Sequence, residues 1–396
     1  MKSINDLIDK KFLIIGGTGF IGSRLIRQLI LNGINPSNIK VVYYPNSLTS
    51  SINDIKVKLF PADILDKKML SPAFKGVDFV FHFAGNTSMD IKKKRLQWLV
   101  NVEGTRNIMK LSLENDIKKV IYTSTVNTLG CPYPIGSLGN ENTSPYVDER
   151  PEIGKKVPKN HIFNSKDETL NFIESVHKNK IKKWWNKIKI GYFDSKLAAQ
   201  ELVNLFYKEN NLPVVSILPG TSFGPGDDLI GNGLYLLRIY HNSMPGYIKC
   251  GGYPLAHVDD VARGHFLALL KGKLGERYII TGKDEDNRTM KDMLSIITKV
   301  IQSKVSDRKI KFPSLGIGKR LGWFVGLISE LFNQTEIMSR STVKAGSFLS
   351  FYTAKKAKNE LDYIPKKTFE EAVEEMFDYY KSKNYLDYTK RVENLV

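Results

Sequence analysis

The run KFLIIGGTGFIGSRLIRQLILNG, residues 11–33, constrains the fold more than any other part of the chain. It opens on a short apolar stretch, repeats glycine at 16, 19 and 22, and ends on apolar residues at helical spacing. That reads as a buried strand, a tight turn and an amphipathic helix, with Gly33 as the natural stop. Without Cβ atoms, Gly16, Gly19 and Gly22 allow the backbone close to a pyrophosphate, and the helix N-terminus attracts its charge. A glycine triplet between a strand and a helix therefore predicts a nucleotide site.

The same alternation continues downstream. IKVVYY (39–44), VDFVFHFAG (77–85), KKVIYTST (118–125) and PVVSILPG (213–220) read as buried strands. LSPAFKG (70–76), a segment near 95–115 and SKLAAQELVNLFYKENN (195–211) read as helices between them. Strands alternating with helices imply right-handed βαβ units and a parallel sheet. The expected class is α/β: a Rossmann doubly wound parallel sheet with a smaller mixed α/β C-terminal substrate domain. We assign 10–145, 190–222 and 255–270 to the dinucleotide-binding domain, 146–189 to an insertion, and 223–254 with 271–396 to the substrate domain. Helices are expected near 289–303, 318–332 and 368–382.

Composition excludes more than it identifies. A 42% hydrophobic content is that of a globular protein. Cys131 and Cys250 have no metal-ligand spacing and read as unpaired thiols of a reducing compartment, hence cytoplasmic. The six His form no cluster, so no metal is expected and His257 reads as structural. The N-terminus has acidic residues before a short apolar run, unlike a signal peptide, and no apolar run is long enough to span a bilayer. The net charge of +18 accompanies abundant Lys, Asn and Ile throughout, without a nucleic-acid-binding signature, so no nucleic acid is expected.

Tyr192 and Lys196, in GYFDSK, are spaced i, i+4 at a helix start and share one face. A free tyrosine, with a pKa near ~10, is a poor acid–base at neutral pH. A neighbouring ammonium favours the phenolate, and a shift of roughly 3 units needs about 4 kcal/mol of differential interaction. The spacing thus predicts an acidified phenol that trades a proton. For the cofactor, an acid ending the second strand would hold the ribose 2′-hydroxyl of NAD. YYPNSLTS (43–50) has none, and Arg24 sits near enough to serve a phosphate, which favours NADP over NAD.

The surrounding segments resemble the extended short-chain dehydrogenase/reductase family through nearly the whole chain. GGTGFIG resembles its cofactor turn, PADILD its adenine-contacting segment, FHFAG (81–85) its cofactor-lining segment and NVEGTRNIM (101–109) the following helix. YTSTVNTLG (122–130) resembles the strand with the catalytic hydroxyl, and LPGTSFGPGD (218–227) and HVDDVARGH (257–265) its substrate-side landmarks. The resemblance implies Tyr192 as general acid/base, Lys196 tuning it, and Thr125 orienting the substrate oxygen, with Ser124 in reserve. It implies a cofactor lined by Gly16, Thr18, Gly19, Phe20, Ile21, Gly22 and Arg24 from the turn. Asp63, Ile64, Ala84, Gly85 and Thr123 would follow from the next strands, with Tyr192, Lys196, Pro219, Thr221 and Ser222 closing the site.

Within that family, sugar-nucleotide members carry an Arg four residues before the HV-x-D histidine. Tyr253 stands there, although Arg238 could substitute. The tract 242–282 and the tail FYTAKKAKNELDYIP resemble the dihydroflavonol-reductase-like and hydroxysteroid-dehydrogenase-like branch, with Asp362 where a glycine is usual. The implied activity is an NAD(P)-dependent dehydrogenase or reductase of a bulky apolar alcohol or ketone. A sugar-nucleotide epimerase or dehydratase and a non-catalytic nucleotide-binding or membrane-bound scaffold stand as alternatives.

Thr125 and Tyr192 are 67 positions apart (192 − 125), where family members need about two dozen. The added segment holds ten Lys against three acidic residues over 155–189. Ser165 and Glu168 form a capping-box pattern. Leu170, Ile173, Ile181, Trp184, Trp185 and Ile188 fall on one helical arc, with lysines opposite. Three readings follow: the stripe packs on the protein, lies on an anionic membrane through 165–190, or covers an apolar substrate. The segment 317–332 is too short to span but has an apolar face; it reads as a core helix, with a membrane contact as the alternative implied by the hydrophobic stretch that hydroxysteroid-dehydrogenase-like members have at this place. A homodimer is left open.

Overall fold

The computed structural model describes residues 4–146, 163–178, 191–244, 246–331, 340, 343 and 346–387. Its centre is a seven-stranded sheet in which every pairing is parallel. The first six strands, in chain order, are β1 (Phe12–Ile15), β2 (Ile39–Tyr43), β3 (Lys58–Pro61), β4 (Phe79–His82), β5 (Lys119–Thr123) and β6 (Val214–Pro219). Strand β1 (FLII), β4 (FVFH) and β6 (VVSILP) are buried at every position, as expected where helices cover both faces.

One face carries α2 (Lys67–Phe74), α4 (Thr105–Glu114) and α6 (Gly191–Asn210), with Trp98, Ile108, Leu202 and Phe206 in a common core. Before α4 the chain runs through α3 (Lys94–Trp98) and a π-helical turn, Leu99–Gly104. The other face carries α1 (Phe20–Leu31) and α8 (Val258–Lys271), packed through Leu25, Leu29, Val261 and Leu269. Strand β1 lies between β2 and β4, so the connections leave in opposite directions there. That switch opens a crevice beyond the carboxyl ends of the strands.

A third core joins α7 (Gly233–Tyr240), α9 (Met290–Lys304) and α12 (Phe369–Ser382) over a three-stranded sheet of β7 (Thr221–Phe223), β9 (Gly252–His257) and β11 (Asn287–Thr289). A two-stranded pair, β8 (Tyr247–Ile248) and β12 (Gly316–Ile317), adjoins it. The domain boundary drawn at 271 is corrected here. Strand β10 (Arg277–Ile280) pairs with β6 at the edge of the main sheet. Residues of α11 (Lys355–Leu361), with Ala354 and Tyr363, enter the second core. The polypeptide returns to the first domain because β6 would otherwise be an open edge.

Of two helix expectations, one holds over the described residues and one changes. In the insertion, α5 (Lys166–His177) forms as expected, with the Ser165 hydroxyl accepting from the Glu168 N–H at 3.1 Å. Its Phe172, Ile173 and Val176 pack on the first core beside Trp98. Ile181, Trp184, Trp185 and Ile188 lie outside the described residues. Helix α10 (Lys319–Leu331) is not a core helix, since Leu321, Trp323, Phe324 and Ile328 are exposed. No described helix is long and apolar enough to cross a membrane.

Candidate active site

The glycine turn has the close approaches its spacing demands. Gly16 sits at φ 81°, and a Cβ there would lie 2.7 Å from the Ala84 nitrogen. A Cβ on Gly22 would lie 2.5 Å from the Gly16 carbonyl oxygen, which also accepts from the Gly19 N–H at 3.1 Å. The Thr18 carbonyl accepts from the Ser51 hydroxyl at 2.8 Å. Phe20 leans on the third core and Ile21 on the second, so the first turn of α1 stands between the two halves of the molecule. This cradle of bare backbone at a helix start fits a dinucleotide pyrophosphate.

The residues expected beyond the turn are placed as follows. Asp63 is partly buried and accepts from the Leu65 N–H at 2.9 Å, while Ile64 packs its side chain against Gly104. Ala84 and Gly85 continue β4 into the crevice: the Ala84 N–H donates to Ile15, and a Cβ on Gly85 would meet the Lys196 ammonium at 3.5 Å. Pro219 ends β6, and Thr221 and Ser222 open β7 beside it. Arg24 is ion-paired through its Nε, which leaves its two NH2 groups to serve a phosphate only in competition with Asp259. Its guanidinium is held by Asp259 on α8 at 2.5 Å, because α1 and α8 lie side by side on the sheet. Lys367 joins the same network, 3.2 Å from Asp259 and 2.6 Å from Glu375. His257, Asp259 and Glu375 bring ligand atoms within 4.8 Å of one another. The Lys367 ammonium already stands among those carboxylates, so the cluster is an ion-pair network. His257 Nδ1 accepts from the Asp259 N–H at 3.0 Å, capping α8, while Nε2 meets Glu375 at 3.1 Å.

Strand β5 and helix α6 bring the chemical groups together. Thr125 follows β5 as the cap of a short 3₁₀ turn, Val126–Leu129, and its hydroxyl lies on the Tyr192 side, where it favours the phenolate. Tyr192 and Lys196 lie in the first turns of α6, as their spacing predicts. The Lys196 ammonium is buried, donates to the Thr123 carbonyl at 3.0 Å and lies 5.6 Å from the Tyr122 ring centre. The Thr123 hydroxyl faces away, toward His265 at 3.0 Å. Thr123 therefore serves the site through its backbone. Ser124 is buried, and its hydroxyl has no hydrogen-bond partner among the described residues.

The expected acidified phenol is not a property of the protein alone. Burial pushes Tyr192 up to about 12, against the opposing hydrogen bond from Thr125. Burial likewise pulls Lys196 down to about 8. The same desolvation, aided by the Lys196 charge, lowers His82 to about 3 and keeps it neutral beneath the pair. At neutral pH the site thus holds a protonated phenol beside a cation, an arrangement suited to giving a proton to a bound carbonyl oxygen.

One residue of this site, the first of NVEGTRNIM, is given no role by the sequence. Asn101 is buried in the π-helical turn. Its amide oxygen accepts from the Asn86 N–H at 2.8 Å, and its amide nitrogen donates to the Asn86 carbonyl at 3.0 Å and the Ser195 hydroxyl at 2.9 Å. It ties the loop after β4 to helix α6. Its signals in the sequence are the resemblance of NVEGTRNIM and a polar Asn inside a helical stretch.

Residues 13–150 match the model of the 3-beta hydroxysteroid dehydrogenase/isomerase family. The chain is 23% identical over 380 residues to a Synechocystis sp. protein named for dihydroflavonol 4-reductase, covering 95% of this chain and 96% of that one. Among solved structures it resembles gox2253, at TM-score 0.72 and 28% identity over 95% of this chain and 99% of that one. It also shares its fold with the dTDP-glucose 4,6-dehydratase DesIV of Streptomyces venezuelae, solved with NAD, at TM-score 0.65 and 17% identity over 94% and 98% of the two chains.

Proposed function

The chain belongs to the extended short-chain dehydrogenase/reductase family, in its dihydroflavonol-reductase-like and 3β-hydroxysteroid-dehydrogenase-like branch, and from that premise we propose its reaction. It is an enzyme that moves a hydride to or from the carbonyl or hydroxyl carbon of a bulky apolar small molecule. The observation that carries this reading is the placement of Tyr192 and the buried Lys196 in the first turns of α6, with the ammonium bound to the Thr123 carbonyl and next to Gly85 in the crevice. A bound nicotinamide dinucleotide supplies the hydride. The Thr125 hydroxyl orients the carbonyl oxygen, and Tyr192 gives that oxygen its proton as the carbon becomes tetrahedral. The Lys196 ammonium, unable to leave its burial site, stabilises the phenolate left behind. In the oxidative direction the phenolate takes the proton back, which requires positive charge beyond what the protein alone places there. NADP is our reading of the cofactor, supported now by the lack of an acid between Tyr43 and Ser50 and no longer by Arg24.

The second reading, a nucleotide-sugar epimerase or dehydratase, is weakened by Tyr253. Its buried phenol faces Tyr235, and burial pushes both phenols up, at the position where sugar-nucleotide members carry an Arg. It is kept in view by Arg238, whose charge acts on Tyr235 from α7. Absorbance-monitored NADPH and NADH oxidation with a panel of polycyclic and aryl ketones tests the proposal, alongside product analysis with UDP- and dTDP-sugars. Ketone-dependent oxidation supports it. Conversion of a nucleotide sugar without net cofactor consumption would replace it with the second reading.

A further inference from the structure

The chain between β2 and β3, residues 44–57, forms neither helix nor strand, yet side chains pin it at three points. The Ser51 hydroxyl donates to the Thr18 carbonyl of the glycine turn at 2.8 Å. Arg27, on α1, grips the Asp54 carboxylate with two nitrogens at 2.7 Å each and donates to the Ser51 carbonyl at 2.9 Å. Both anchors belong to the half of the molecule that carries the glycine cradle. The third does not. The Ser50 hydroxyl donates at 3.0 Å to the carboxylate of Asp228, 178 positions along the chain and just before α7.

Asp228 is a fixed acceptor. It is 6% exposed, and a carboxylate so buried is costly unless its oxygens are hydrogen-bonded. Both are: one takes the Ser50 hydroxyl, the other the Tyr379 phenol of α12. The neighbouring Asp227 accepts from the Gly231 and Gly233 N–H groups at 2.9 and 3.0 Å, which fixes the start of α7. The acceptor therefore stands on a rigid mount, while the hydroxyl stands on a segment with no ladder of its own. Between the two, the bond decides where the segment lies. That position matters because the segment starts where β2 ends, and in a sheet of this topology the end of the second strand meets the adenosine ribose of a dinucleotide. Ser51 passes any shift on to Thr18 in the pyrophosphate cradle.

We propose that Asp228 is a positioning residue for the cofactor: without touching the dinucleotide, its carboxylate holds Ser50 and so sets the segment after β2 in the form that receives the adenosine end. The inference rests on the dinucleotide reading of the glycine cradle and is independent of the substrate. With the bond removed, the segment keeps two anchors, and the dinucleotide has to order it on binding, which appears as lost affinity. A hydrogen bond to a carboxylate corresponds to about tenfold in a binding constant.

Calorimetric titration of the full chain tests this, with NADPH and NADH, with the matching adenosine fragment (adenosine 2′,5′-bisphosphate or ADP) and with reduced nicotinamide mononucleotide. Asp228→Ala and Ser50→Ala should each weaken the preferred dinucleotide and its adenosine fragment by about tenfold, and leave the mononucleotide within about twofold. Both remove the same bond, so the double variant should lose no more than either single one. Ser50 is half-buried on an irregular segment, so Ser50→Ala tests the bond even where Asp228→Ala fails to fold. Single variants that bind the dinucleotide as the wild type does overturn this inference alone. So does an additive loss in the double variant, and so does equal loss of both fragments, which would mean a general loosening of the fold. A wild type that binds neither dinucleotide overturns the dinucleotide reading, and this inference with it.

Discussion

Lys196→Met is the substitution whose effect the site geometry predicts most sharply, because it should stabilise the fold while removing activity. The Lys196 side chain is 6% exposed, and burial lowers its pKa from 10.5 to about 8. A lowered lysine pKa means that the folded state holds the proton more weakly than the unfolded chain. Below about pH 8 both states are protonated and the folded state bears the full cost, about 3 kcal/mol from the size of the shift. Between that pH and 10.5 the unfolded state binds more protons, so stability rises with pH and the cost shrinks, to about 1.5 kcal/mol near pH 9.5. Methionine fills the volume of the lysine stem without the charge. Losing the hydrogen bond to the Thr123 carbonyl returns about 1 kcal/mol. The variant should therefore be more stable than wild type by about 2 kcal/mol at pH 7, with the advantage nearly gone by about pH 9.5. Urea unfolding of both proteins at the two pH values, read by tryptophan fluorescence and turnover, measures this. A variant that is less stable at pH 7, or an advantage that does not shrink on the alkaline side, would refute the buried-ammonium argument.

Thr125→Val removes the hydroxyl that meets Tyr192 and should lower kcat by about tenfold to a hundredfold with little change in cofactor affinity, by steady-state kinetics and fluorescence titration. Arg24→Ala should leave the ratio of NADPH to NADH affinity within about twofold, because Asp259 already holds the guanidinium; a selective loss of NADPH binding would restore Arg24 as a phosphate ligand. Gly22→Ala places a methyl 2.5 Å from the Gly16 oxygen and should abolish measurable cofactor binding while costing about 1–3 kcal/mol in denaturant unfolding.

What could be read from the chain was local. The strand, glycine turn and helix at 11–33 are specified by neighbours in sequence, as is the Tyr192–Lys196 spacing, and both appear in the expected elements. Asp362 is a smaller case. It stands where the branch usually has glycine, and its backbone takes the left-handed φ of 55° that glycine favours at a helix end. What could not be read depends on distant partners. Arg24 is ion-paired with Asp259, 235 positions away, and although both residues lie in quoted segments neither segment announces the pairing. The raised Tyr192 pKa comes from burial, a property of the assembled site, whereas the Lys196 spacing alone suggested the opposite sign. In α10 the apolar stripe was visible but its direction was not. The deciding signal was the pair Gly322 and Gly326 on the other side, small enough to pack where an apolar stripe was expected to. Strand β10 joined the first domain because sheet edges are completed by tertiary pairing, across a sequence boundary that composition placed too early.

The account rests on Tyr192 as the group that exchanges the proton, and Tyr192→Phe tests it with the smallest possible change. With a ketone that supports NADPH oxidation by the wild type, the variant should lose about a hundredfold to ten-thousandfold in kcat and keep its NADPH affinity within about twofold. Wild-type turnover by the phenylalanine variant would contradict the assignment outright.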